Sequence, residues 1–110
     1  MKLMITGSRT ITDFDLGKYI PEETELIITG GKTGIDALAE KYADAHGISK
    51  LILRPNHNKY GKIADIMLNY NMAKLASSVL IIWDEKCEET KRAINIADKG
   101  FKPITVITAK

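Results

Sequence analysis

Short apolar runs alternate with helix-period segments along this chain. Five runs, at residues 2–5, 25–28, 50–53, 79–83 and 104–107, are rich in Ile, Leu and Val. Runs of this length and content predict parallel strands buried on both faces. Four helical segments lie between them. Residues 13–20 form the first, stopped by Pro21, whose ring and missing N–H end a helix. Residues 34–46 carry Ile35, Leu38, Ala39, Tyr42 and Ala43 on one face and stop at Gly47. Residues 61–75 place Ile63, Ile66, Met67 and Tyr70 at the same spacing. The last segment starts at Glu88 or Thr90, carries Ala93, Ile94 and Ala97, and runs to Lys99 before Gly100. The resulting βαβαβαβαβ pattern needs crossover helices, and crossovers are right-handed. It predicts an open, doubly wound parallel sheet: one three-layer, Rossmann-like α/β domain over residues 1–110.

Composition changes this picture little. At 110 residues, with 45% hydrophobic and 27% charged positions, the chain is long enough for one core without staples. A net charge of +2 is too small to point to nucleic acid or a membrane. Cys87 is the single cysteine, which excludes an internal disulfide and a cysteine metal cluster. No cofactor or metal is expected. The apolar run at residues 79–83 falls far short of the ~20 residues of a membrane helix, and residues 1–5 are too few for the apolar part of a secretory signal. A reduced cytoplasm is the expected compartment.

In doubly wound sheets, ligands bind beyond the carboxyl ends of the strands, where strand order reverses. The segments after the first four strands are Thr6-Gly7-Ser8-Arg9, Thr29-Gly30-Gly31-Lys32-Thr33-Gly34, Arg54-Pro55-Asn56-His57 and Asp84-Glu85-Lys86-Cys87. Two of them carry glycine and run into helices, where free amides attract anions.

These strand-end motifs, with Ile35-Asp36, Tyr60-Gly61-Lys62 and Asn69-x-x-Met72, resemble the SLOG superfamily. That Rossmann-like group includes DprA and the cytokinin-activating phosphoribohydrolases, and the likeness is greatest to its small stand-alone members of the YspA type. The resemblance covers nearly the whole chain. It implies the strand order 3-2-1-4-5 and a pocket for a nucleotide-like ligand between strands 1 and 4. Gly7, Ser8 and Arg9 would line one edge. Gly30, Gly31, Lys32 and Gly34 would bring the second helix start to a phosphate. Asn69 would reach in from the third helix, and Thr90 matches the family's threonine after strand 4.

The chain also departs from the family. The phosphoribohydrolases carry a catalytic Arg just before the position of Asn69, where this chain has Leu68. Their catalytic Glu aligns with Ala93, and the glycine before their threonine is Glu89 here. The first expectation is therefore a binding module for a nucleotide or ADP-ribose-like molecule, acting as a sensor or in sequestration. The alternative is a hydrolase cleaving an N-glycosidic or phosphate bond, with its carboxylate drawn from Asp36, Asp84, Glu85, Glu88 and Glu89. DprA-like binding of single-stranded DNA ranks last, because clustered cations and stacking rings are sparse. The sequence leaves a homo-oligomer open.

Among single residues, Arg9 suits bidentate phosphate contact. Asp84 ends a strand, as ribose-holding carboxylates do, although its acidic turn also reads as solvated. Asp36 reads as structural, since a first-turn carboxylate is stabilised by the helix dipole whatever its function. His57 reads as solvated, Tyr60 as a hydrophobic staple, and Met67 and Met72 as core filler.

Overall fold

In a computed structural model, residues 1–100 and 102–109 are described. Five strands, β1 (Lys2–Gly7), β2 (Leu26–Thr29), β3 (Ser49–Ile52), β4 (Ser78–Trp83) and β5 (Ile104–Thr108), form one sheet. Its order is β3-β2-β1-β4-β5, and all four neighbouring pairs are parallel. The α/β class and the strand order are those expected from the sequence. Met4 sits opposite Ile28 on one side and Val79 on the other, so β1 is the central strand.

Helix α1 (Ile35–Ala45) follows β2, α2 (His57–Tyr60) and α3 (Ala64–Leu75) follow β3, and α4 (Glu88–Asp98) follows β4. The two-residue period of the strands divides the core. Leu3, Ile5, Ile27, Leu80 and Ile82 face Ile35, Ala39 and Ala43 of α1. Met4, Ile28, Val79 and Ile81 face Leu68, Met72 and Ala73 of α3 and Ala93 and Ala97 of α4. Small alanines let the helices sit close, and each fully buried Ile or Leu contributes about 1.5–3 kcal/mol.

Three expectations are corrected. Residues 13–20 do not form a helix; only a single 3₁₀ turn, Leu16–Lys18, occurs there. Leu16 and Ile20 are buried in the α1 side of the core, with Phe14 and Tyr19 packed against it, but Gly17 at the centre of so short a segment disfavours a longer helix. Secondly, the helix expected from Gly61 opens as a 3₁₀ turn, Gly61–Ile63. A short helix that the periodicity did not predict, α2, precedes it, with Asn56 Oδ1 accepting from the Lys59 amide. Thirdly, the strands are not all buried on both faces. β3 is mostly exposed and β5 half so, because edge strands lack a neighbour on one side. Only β1, β2 and β4 have the continuous burial of a central parallel strand. Trp83 ends β4, as expected.

Candidate ligand pocket at the switch point

Connections from β1 run to β2 on one side, while β4 lies on the other. The strand order therefore reverses between β1 and β4, and a cleft opens there. It is lined by Thr6, Gly7 and Arg9 from β1 and its loop, by Gly30 and Lys32 after β2, and by Asp36 in α1. Helix α3 adds Asp65, Leu68, Asn69 and Met72, and α4 adds Glu89, Thr90, Arg92 and Ala93. Counting space open to solvent, the cleft is about 500 Å³, but the room it leaves for water molecules is only about 30 Å³, enough for one or two.

Charge pairing explains the tight mouth. Arg9 Nη2 donates to Glu89 Oε2 at 2.6 Å. Lys32 Nζ lies 3.5 Å from the same carboxylate oxygen and donates to Asp65 Oδ1 at 2.9 Å. The chain Arg9–Glu89–Lys32–Asp65 thus ties the loops after β1 and β2 to α4 and α3. The Lys32 hydrogen bond holds the Asp65 carboxyl below the usual carboxylate range, against a smaller opposing effect of burial. These are the cations an anionic ligand would use, and the protein's own carboxylates already occupy them.

Below this chain lies Asp36, only 2% exposed. Its Oδ2 accepts from the Lys32 amide at 3.3 Å. Among the described residues, its Oδ1 and the Thr29 hydroxyl make no hydrogen bond of good geometry, and the hydroxyls of Thr6 and Thr29 meet the carboxyl only in weaker contacts. Burial pushes the Asp36 carboxyl up from its ordinary value; hydrogen bonding from the Thr6 hydroxyl, the Lys32 amide and the Thr29 hydroxyl, and the Lys32 charge, pull the other way. Gly30 leaves room for this arrangement, since a Cβ there would meet Asp36 Oδ2 at 3.0 Å.

Of the residues singled out from sequence, Gly7, Arg9, Gly30, Lys32, Asn69 and Thr90 come together in this pocket. Ser8, Gly31, Gly34 and Asp84 are not among its lining residues. Ser8 is fully buried and works as a junction. Its amide donates to Ile82 O at 3.0 Å, its carbonyl accepts from the Ile35 amide at 3.3 Å, and its Oγ accepts from the Asp84 amide at 3.0 Å. Gly34, at φ +74°, lets the start of α1 press on that junction, for a Cβ there would lie 2.3 Å from Ser8 O. The Gly31 carbonyl accepts from Arg54 Nη1 at 3.1 Å.

The start of α1 and the loop before it therefore have two of their amides committed. Ile35 spends its N–H on Ser8, and a carboxylate takes the Lys32 amide. Asp84 is similarly committed. Its Oδ1 accepts from the Lys86 and Cys87 amides at 2.8 and 2.9 Å, and its Oδ2 from Thr10 Oγ1 at 3.0 Å. It lines two shallower surface depressions.

Sequence reasoning read Asp36 as structural, or as one of five candidate carboxylates for a hydrolase, and did not single out Asp65 or Arg92. The Gly-x-Asp spacing at residues 34–36 was the one available signal for Asp36. The rest depends on which side chains packing brings together.

Comparison with protein-family models, with curated proteins and with solved structures gave no match.

Proposed function

We propose that the chain binds a nucleotide or a nucleotide-derived, ADP-ribose-like small molecule in this pocket, as a sensor or sequestering module of the SLOG type. The observation that carries the reading is the convergence of Arg9, Lys32, Asn69 and Thr90, from four separate elements, on one cleft at the reversal of strand order. Guanidinium and ammonium groups suit phosphate oxygens, and such reversals are where open α/β sheets bind ligands. In this reading the phosphate takes Arg9 and Lys32 from Glu89 and Asp65.

Two lining residues favour binding over hydrolysis. Leu68 and Ala93 both border the pocket, and they stand where the phosphoribohydrolases carry their catalytic Arg and Glu. Loss of a base builds positive charge on the ribose, and a carboxylate at that place would stabilise it. The chain has a methyl group there instead. Incubation with AMP should release no adenine above background.

Titration with AMP, followed by backbone amide shifts, tests the binding reading. Gly7, Arg9, Gly30, Lys32, Asn69 and Thr90 should move together and saturate. Saturable shifts confined to another region, or none at millimolar AMP, would overturn it.

A further inference from the structure

We propose that a second cavity, between α3 and the segment after β3, binds a small carboxylate carried on an apolar body, with Arg54 as its anchor. The site stands apart from the nucleotide reading, since its lining shares only Leu68 with the cleft. Leu53, Ala64, Leu68 and Leu75 give it an apolar lining, and Ala64 and Leu68 are buried. It leaves about 220 Å³ of room for water molecules, against about 30 Å³ in the cleft. That falls short of the ~300 Å³ at which drug-sized pockets begin, so the ligand is small.

Arg54 lines this cavity and is set up to hold an anion. Its Nη1 donates to Gly31 O at 3.1 Å, which fixes the guanidinium and leaves its other N–H donors. Gly31 makes way for it, because a Cβ there would lie 2.8 Å from Nη1. Among the described residues no carboxylate pairs with Arg54, whereas Arg9 and Lys32 in the cleft are both paired. Residues 49–64 hold Lys50, Arg54, Lys59 and Lys62 and no Asp or Glu. Of these four, Lys50 alone has carboxylate partners among the described residues, so the surroundings favour a negative ligand. A carboxylate matches a planar guanidinium with two parallel hydrogen bonds. Tyr60 and Asn71 also line the cavity, and a hydroxyl and an amide can each donate to a carboxylate oxygen. The leucines call for an apolar body behind the charge, which acetate and phosphate lack.

The test titrates the wild-type chain with benzoate, benzyl alcohol and acetate and follows backbone amide shifts. Benzoate should bind saturably, with a dissociation constant on the order of 1 mM for so small a ligand. The shifts should centre on Leu53, Arg54, Tyr60 and Asn71. Benzyl alcohol keeps the ring without the charge, and acetate keeps the charge without the ring. Each should bind about tenfold more weakly, or worse. Arg54→Gln should weaken benzoate by a similar factor, and Arg54→Lys should restore only part of it, for lack of the planar fork. Benzyl alcohol binding as tightly as benzoate would overturn the proposal and leave a plain apolar hollow. Acetate binding as tightly would overturn it too, as would undiminished benzoate binding in Arg54→Gln. Saturable shifts centred on Arg9 and Lys32 would move the anion to the cleft and overturn it, and so would the absence of saturation. The comparison of the three probes needs no variant to fold.

Discussion

The loops after β2 and β4 deliver aspartates to the same edge of one sheet, yet the two carboxylates are set up in opposite ways. Asp84 collects two amides and a hydroxyl from its own surroundings. The Lys86 amide foremost, then that of Cys87, holds its carboxyl down at about 2. It closes its own turn, which is tight enough to put Glu85 at φ +68°. Asp36 is buried beside a chain of ion pairs and accepts one amide; burial outweighs that bond and the weaker contacts with the Thr6 and Thr29 hydroxyls, and pushes its carboxyl up. A saturated carboxylate is a structural part. A buried one carries a desolvation cost that its weaker contacts do not fully offset, and that distinguishes the two.

The largest expected effect concerns what holds the β2 loop against the Ser8 junction. Gly34→Ala forces a positive φ on a residue with a side chain and drives a Cβ into the Ser8 carbonyl. Strain and overpacking together should cost on the order of 3 kcal/mol. Chemical denaturation reads this directly, and a loss under about 1 kcal/mol would show that the junction yields.

Asp84→Ala should come next, lowering the melting temperature by opening the β4 turn. The folded carboxyl titrates below its unfolded value of about 3.9. Its contribution is therefore present above about pH 4 and is lost as pH falls through about 2. Melting curves of both proteins should accordingly converge in acid. A gap that stays constant from pH 6 to pH 2 would contradict the hydrogen-bonded role.

Glu89→Gln sharpens the comparison at the mouth. It frees Arg9 and Lys32 of a fixed counter-charge, so inorganic phosphate should bind about threefold to tenfold more tightly in low salt. Stability should change by less than about 1 kcal/mol, because the pair is partly exposed. Weaker phosphate binding in this variant would mean that Glu89 helps to build the site.

The smallest effect is expected from Asp36→Asn on stability. A raised folded value means the native state favours the protonated carboxyl, so the wild type loses stability as pH rises through that value. The variant should match the wild type in acid and be slightly more stable near neutrality, since Asn keeps the shape without the charge. Greater loss for the variant at neutral pH than in acid would reverse the sign and make Asp36 a stabilising anion.

What could be read from the chain itself was the repeating architecture. Alternation of apolar runs with helix-period segments dictates crossovers, and their handedness leads to a parallel sheet. Arg9, Gly30 and Lys32 were legible because strand ends at such a sheet face the cleft. Residues 13–20 misled because a proline stop says where a helix ends, not whether a short segment with Gly17 at its centre forms one. The contrast between Asp36 and Asp84 was not legible at all. Both are aspartates near a strand end, and local pattern does not tell the buried one from the one whose hydrogen-bond partners lie mostly within three residues of it. Only tertiary structure decided that Asp36 lies beneath Lys32 and beside Leu68, and that Arg9 meets Glu89 eighty positions away. The physical reason is range. Periodicity and turn chemistry act over a few residues, whereas burial and charge pairing depend on which distant elements the sheet packs together.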